Sequence, residues 1–309
     1  MARVSTTRGY KGKGHCSLRP LNGTGRKFRL GNVISLSETI ETDRQSREDF
    51  QEAGGGELDV SEPVTSVTAE LTVNDIKPET LALGMRGSHE LLAAQAITDE
   101  AQDAWSGERV TFRYIPDPDQ TITVKIAATA AWAGTTAYAV GDLVLDTARA
   151  YVCTVAGESA GVVPTWPTTA GETVVDGTVT WRDLGPVTLT AETHYSPTPQ
   201  GIRFLTGGDG LFVGDSILPL LVSYTRNPQY IIQALVNSGT EYELILDGLN
   251  EVDSGNPCVG RYFRVKFSPT SGFARIGNEF AELPLRMTVL KDENRVGAGL
   301  SQYMEFLTI

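Results

Sequence analysis

The feature that most limits what this chain can fold into is a strict alternation of apolar and polar residues, repeated along most of its length. Val67, Ala69, Leu71 and Val73 fall on one face of an extended segment, with Ser66, Thr68, Glu70 and Thr72 on the other. Successive side chains of a strand point to opposite faces, so this period of two predicts strands buried on one side. The pattern recurs at Val110, Phe112 and Tyr114, at Ile122, Val124 and Ile126, at Val187, Leu189 and Ala191, and at Ile202 and Phe204. It returns at Tyr242, Leu244 and Leu246, at Phe263, Val265 and Phe267, and at Leu285, Met287 and Val289. Turn chemistry separates these runs: Asp117-Pro118-Asp119, Gly207-Gly208-Asp209-Gly210, Asp247-Gly248 and Ser254-Gly255-Asn256-Pro257. Many short strands joined by such turns predict a mainly β fold, a sandwich or a barrel.

One segment breaks the alternation. Asn74-Asp75 offers an N-cap, Pro78 suits a first helical turn, and Leu81, Met85, Leu91, Leu92 and Ile97 follow at roughly helical spacing. This predicts a single helix packed on the sheet, weakened in the middle by Gly84 and Gly87.

Charge is unevenly distributed. Residues 1–30 hold eight Lys/Arg and no acid, among them Arg3, Arg8, Lys11 and Lys13, whereas residues 38–79 hold twelve acids against three bases. Two readings stay open. The runs are solvated arms, or in a self-associating chain they are a docking pair between neighbouring copies. A nucleic-acid-binding arm is the weakest reading, because no aromatic residues interleave the charges and the net charge is −12. Within the acidic run, residues 43–62 carry Asp43, Arg44, Arg47, Glu48, Asp49, Glu52, Glu57 and Asp59 around Gly54-Gly55-Gly56. With so few apolar anchors, this stretch reads as the unordered tip of a long hairpin, ordering only against another molecule.

Residues 130–186 differ in composition from what surrounds them. Three of the four tryptophans lie there, Trp132, Trp166 and Trp181, beside Tyr138 and Tyr151. The segment reads as a small β module inserted between two strands of a hairpin, giving a division into residues 1–129, 130–186 and 187–309. Trp132, Tyr138-Ala139-Val140-Gly141-Asp142, Tyr151-Val152-Cys153, Pro164-Thr165-Trp166-Pro167 and Trp181-Arg182-Asp183-Leu184-Gly185 resemble aromatic-rich carbohydrate-binding modules and repeats of phage structural proteins. The rings either fill the module's own core or stack on glycans, with Trp166 the ring expected to be exposed.

No catalytic pattern emerges. His15, His89 and His194 lack metal-type spacing, and there is no HExxH, CxxC or Gly-x-Ser-x-Gly motif. Gly23-Thr24-Gly25-Arg26-Lys27 lacks the ending of a phosphate loop, and Asp247, Glu251 and Asp253 suit a solvated turn better than calcium. Cys16, Cys153 and Cys258 lie far apart and are odd in number, which predicts free thiols in a reducing cytoplasm. The N-terminus shows no apolar secretion signal, and no apolar run is long enough to span a bilayer. The expectation is a protein that is not an enzyme and carries no cofactor or metal.

Outside the module, the order of pieces resembles the tail tube proteins of long-tailed bacteriophages. LGNVISLSETIET (residues 30–42) is similar to that family's first strand, and LTVNDIKPETLAL (71–83) to its strand-to-helix step. ETHYS (192–196) and GIRF (201–204) extend the likeness, and YELILDG (242–248), RVKF (264–267) and FAELPLRM (280–287) resemble its C-terminal strands. The basic N-terminus and the aromatic module are departures. The resemblance implies a tail-tube-type β-sandwich or barrel with one packed helix, a long hairpin loop and a small all-β inserted module. It further implies a virion subunit, assembled in the host cytoplasm, that forms six-membered rings stacked into a hollow tube for genomic DNA. Its implied partners are other copies of itself, a tape-measure protein and a tail terminator, with DNA in the lumen bound without sequence specificity. The residue 43–62 loop would contact the next ring, with the basic arm as its acceptor, and the module would decorate the outside and bind cell-surface glycans. The competing expectation is a carbohydrate-binding adhesin or fibre protein.

Overall fold

The computed structural model describes residues 9–22, 25–51, 54–128, 130–205, 211–212 and 216–309. Strands dominate it, as the alternation predicts, and they form several antiparallel sheets. In chain order the first part contains β1 (Gly12–Pro20), β2 (Phe28–Arg29), β3 (Val33–Thr42), β4 (Gln45–Glu48), β5 (Glu57–Ser61), β6 (Val64–Val73), helix α1 (Pro78–Gly84) and β7 (Ser88–Leu92). The middle contains β8 (Gln95–Ala104), β9 (Arg109–Thr111), β10 (Thr123–Ile126), β11 (Ala137–Tyr138), β12 (Leu143–Asp146), β13 (Arg149–Val155) and β14 (Gly157–Glu158). It continues through β15 (Thr173–Asp176), β16 (Val179–Pro186), β17 (Thr188–Leu189), β18 (Tyr195–Thr198), β19 (Gly201–Phe204) and β20 (Leu218–Arg226). The last part holds β21 (Gln229–Gln233), β22 (Glu241–Asn250), β23 (Asn256–Phe267), β24 (Leu283–Val289) and β25 (Met304–Thr308). Two compact units result, one formed by Met1–Glu90 with Tyr230–Ile309, the other by Leu91–Gln229.

The first unit is built on one sheet of order β2-β1-β22-β23-β24-β6-β3. Its middle strand is shared: β23 pairs with β25 from Cys258 to Tyr262 and with β24 from Val265 to Phe267. The alternating residues of β6 and β24 meet, with Tyr262 and Val265 from either side of a bulge in β23, in a core that includes Leu71, Val73, Leu285 and Met287. Burying a side chain of this size is worth about 1.5–3 kcal/mol, so the polar-out, apolar-in pattern is sufficient to fix the register. The Tyr262 hydroxyl donates a hydrogen bond to Glu38 of β3, three strands away. A flat sheet would put those strands about 14 Å apart, so the sheet curls. It does not close into a barrel. β3 pairs only with β6, and β25 only with β23, leaving one edge of each unpaired among the described residues.

The helix is shorter than the spacing predicts. It ends at Gly84 because Arg86 takes a left-handed conformation (φ 45°), with Gly87 N donating to the Ala82 carbonyl (2.7 Å) and Arg86 N to that of Leu83 (3.1 Å). These are the two bonds of a Schellman stop. Leu91 and Leu92 therefore lie on β7 and Ile97 on β8, not on the helix. The N-cap is Lys77, without a side-chain cap; Asn74 instead accepts a bond from Asn32 Nδ2 (2.7 Å), tying the end of β6 to the start of β3. Asp247-Gly248, expected as a turn, lies inside β22 opposite Val259 and Cys258. A Cβ on Gly248 would stand 2.9 Å from the Lys13 carbonyl oxygen, so this glycine serves a close strand approach. Asp117-Pro118-Asp119 does turn, with Asp119 N donating to Asp117 Oδ1 (3.0 Å). Residues 207–210 lie outside the described residues.

The second unit contains the sheets β17-β10-β20-β8, β18-β19-β9 and β12-β13-β16-β15, with a small β11-β14 pair. β10 and β17 pair directly, Val124 opposite Leu189, so residues 130–186 leave and re-enter at adjacent strands. That segment has its own aromatic cluster, but Ala150 and Leu184 from the β12–β16 sheet join the unit's main core with Ala128, Leu189 and Leu218. This shared core is why the compact units divide the chain near 90 and 229 rather than at the ends of the inserted segment.

Candidate functional site

Three features carry the residues singled out above: the hairpin arm, the N-terminal strand and the aromatic cluster. The arm grows out of the main sheet. β3 and β6 pair as far as Thr42 opposite Val64, Asp43 N donates to the Pro63 carbonyl (3.0 Å), and β4 and β5 continue from Gln45 opposite Ser61. The stretch expected as an unordered tip is thus largely a two-stranded ribbon. Its charges meet each other: Arg44 bridges Glu57 (2.5 Å) and Glu62 (3.2 Å), and Arg47 pairs with Asp59 (2.6 Å). Asp43 accepts from Gln45 Nε2, and Asp49 N donates to the Gly56 carbonyl (2.6 Å). Glu48 stands opposite Glu57, at a register shift in the ladder. Glu52 lies outside the described residues. Exposed ion pairs are worth little in water, and a lone ribbon is marginal. Yet this ribbon exposes Leu58 and Val60, and at its tip Phe50 is 87% exposed.

The basic N-terminus is not a free arm over its described length. β1 pairs with β22 for nine residues, from Gly12 opposite Asn250 to Pro20 opposite Tyr242. Cys16 and Leu18 alternate into the core, and Gly14 permits the contact, since a Cβ there would meet the Asp247 carbonyl oxygen at 2.4 Å. Lys11 and Lys13 both pair with Glu251 of the same chain, at 2.8 and 3.0 Å, and hold its carboxyl below the usual carboxylate range. Within the subunit these two lysines are thus engaged by Glu251; Arg3 and Arg8 lie outside the described residues.

In the inserted segment the rings are used mainly on one another. Trp181 is 0% exposed and Tyr151 1%, so these two rings follow the core-filling alternative and neither offers a face to a glycan. Trp166, expected as the exposed ring, is half-buried: it stacks on Tyr151 (centroids 4.2 Å apart) and meets Trp181 edge-on at 6.0 Å. Its Nε1 is buried without a hydrogen-bond partner among the described residues. Tyr138 packs edge-on against Trp181 (4.8 Å), and its hydroxyl accepts from Ala133 N (2.8 Å). The organising group is one that sequence reasoning passed over. Asp176, 2% exposed, accepts from Trp132 Nε1 (2.7 Å) and Trp181 Nε1 (3.0 Å) through one oxygen and from Ala160 N (2.9 Å) through the other. Next to Gly177 it reads as a turn former; the need of buried indole N–H groups for an acceptor is the signal that would have found it.

A groove of about 540 Å³ opens in the first unit. Cys16, Leu246 and Gly260 line it together with residues of β3 (Val33–Leu36) and β25 (Phe306–Thr308) and Tyr10. The Tyr10 hydroxyl contacts Cys258 Sγ (3.4 Å), which with burial raises Tyr10 to about 12, and burial raises the Cys16 thiol to about 11. Among the described residues no group of three or more His, Cys, Asp or Glu is placed to hold a metal ion, and no helix is long and apolar enough to cross a membrane.

These surfaces define a mainly β protein whose strand edges and ribbon arm face outward. The chain belongs to the family described as "Protein of unknown function UCP028589", which matches residues 9–162 and 168–307. The match runs through most of the inserted segment and omits residues 163–167, the loop that carries Trp166. No curated protein matches the chain.

Proposed function

We propose that this chain is a structural subunit that assembles with copies of itself, as a tail tube protein does, into six-membered rings stacked as a hollow tube for phage DNA. The observation that carries the reading is the β4–β5 ribbon. Its described side chains lie in solvent with apolar groups among them, so the ribbon has nothing to cover within its own subunit. Unpaired edges on β3 and β25 add surfaces that invite strand pairing with another molecule. An interface between unlike surfaces of identical subunits closes into a ring or propagates as a filament, and a stacked tube uses both outcomes. The net charge of −12 suits a conduit past which nucleic acid slides without sticking. Consumption of Tyr151 and Trp181 by the core weighs against an adhesin built on glycan stacking.

Electron microscopy of the purified protein at high concentration tests the proposal. Tubes or six-fold rings are the expected result. Particles that remain single subunits at every concentration refute it.

A further inference from the structure

The loop that carries Trp166 is held to its module by very little. Ala160 is the last anchored residue on one side, donating through N to Asp176 Oδ1 (2.9 Å) and accepting from Thr135 N (3.2 Å). On the other side Glu172 N donates to the Thr169 carbonyl (3.1 Å), and Gly171 N to that of Asp183 (2.8 Å). Between these points residues 161–168 take part in one hydrogen bond among the described residues, from the Tyr151 hydroxyl to the Pro167 carbonyl (2.9 Å). Pro164 and Pro167 have no N–H to give, and Val162 and Val163 point into solvent. Apart from that bond, the loop is seated by the Trp166 ring alone, laid on Tyr151 with centroids 4.2 Å apart.

That ring is poorly matched to its seat. Stacking favours the closed position, but burial of Nε1 without an acceptor opposes it, and the two effects are of similar size. Trp132 and Trp181 show the contrast, since each places its own Nε1 on Asp176. An indole turned outward finds water for its N–H. The ends of the loop permit that motion. A Cβ on Gly161 would meet nothing within 4 Å, and Gly171 turns at φ 91°, where glycine moves without strain. What lies beneath does not depend on the loop. Asp176 holds the two indoles, Tyr138 packs on Trp181, and the Tyr138 hydroxyl is fixed by Ala133 N.

We propose that residues 161–168 form a lid that lifts as a unit on its two glycines while the rest of the inserted segment stays folded. Opening breaks the Tyr151–Pro167 bond and carries Trp166 from the Tyr151 ring into solvent. It uncovers a flat aromatic face on Tyr151 and presents an indole whose N–H is free to donate. The aromatic surface of the segment is therefore conditional on the lid. Segments with few backbone hydrogen bonds and few buried contacts open at low cost, well below that of unfolding their surroundings. The device works within one subunit and does not rest on the assembly reading.

Alkylation of accessible indoles by 2-hydroxy-5-nitrobenzyl bromide, mapped by peptide mass spectrometry on the full chain, tests the lid. Trp166 is expected to react several-fold faster than Trp132, which is also half-buried but bonded to Asp176, while Trp181 stays unmodified. Tyr151→Phe removes the latch and should raise the Trp166 rate about threefold to tenfold, with Trp181 still protected. Gly161→Ala meets no clash but stiffens a hinge, and should lower that rate about twofold to fivefold. Opposite responses to two substitutions separate a lid from general loosening. A Trp166 rate no faster than that of Trp132, or one that either variant leaves unchanged, overturns the proposal. So does modification of Trp181 in step with Trp166, which would mean that the segment opens as a whole.

Discussion

Replacing Asp176 with alanine tests the inserted segment at its most loaded point. The carboxylate accepts three hydrogen bonds, two from indole nitrogens at 2.7 and 3.0 Å and one from Ala160 N at 2.9 Å. A hydrogen bond to a charged group contributes about 1.5–3 kcal/mol, and a buried donor left without a partner costs about 1–3 kcal/mol. Trp132 is only partly buried, so water can replace its acceptor. The Trp181 nitrogen belongs to a side chain with no exposed surface and has no such recourse. Removing a buried carboxylate also relieves its own desolvation cost, so the three bonds do not simply add. The expected loss is about 3–5 kcal/mol, a large fraction of the 5–15 kcal/mol that holds a typical domain together. Three of the four tryptophans lie in this segment, so urea unfolding followed by tryptophan fluorescence reports on it directly. With a slope of about 1–3 kcal/mol per molar, the midpoint falls by about 1–5 M. Asp176→Asn keeps one acceptor oxygen and should lose about half as much. An alanine variant within about 1 kcal/mol of wild type refutes the view that Asp176 organises the cluster.

The arm should be cut within residues 43–62 by a protease in the free subunit and protected in assemblies; equal cleavage in both states removes its role as a contact between copies. Gly87→Ala should destabilise the first unit by about 1–3 kcal/mol, because its Cβ would stand 2.2 Å from the Gln233 carbonyl oxygen. An unchanged melting curve would show that the backbone there yields freely. Arg264 donates twice to Glu241 (2.7 and 2.9 Å) and, chiefly through those bonds, holds that carboxyl below its ordinary range. A lowered carboxylate contributes stability that is present above its unfolded pKa and lost as pH falls through the folded one. The urea midpoint should therefore drop as pH falls through and below the ordinary glutamate range, and drop less in Arg264→Met. Parallel curves for the two proteins would contradict this.

The strands were legible in the sequence because their burial follows the pleat. Val67, Ala69, Leu71 and Val73 point inward as the period of two requires, and so do Val265 and Phe267; across the bulge before them Tyr262, not Phe263, joins the same core. The helix was half legible. Pro78 marks its start, but its end depends on Arg86 adopting positive φ and on a close approach to Gln233, neither of which periodicity records. Leu91, Leu92 and Ile97 kept a helical spacing by coincidence, since each is held by strand pairing. The arm was legible as an exposed acidic excursion, while its ribbon form rests on cross-strand pairs such as Arg47 with Asp59 that appear only once the register is known. The rings of the inserted segment were visible as a group. Which faced inward was not, because that depends on Asp176 gathering two indoles from distant positions.

The direct pairing of β10 with β17 has a consequence for how such a chain can change over time. Partners in an antiparallel ladder lie about 5 Å apart, so residues 130–186 plug into a socket whose two contacts are already fixed by the host. A graft of any length whose ends meet at that spacing could be accepted without moving the surrounding strands. The socket still sets one condition. Ala150 and Leu184 fill space beside Ala128 and Leu218, and a replacement that brings nothing to that spot leaves a void in the host.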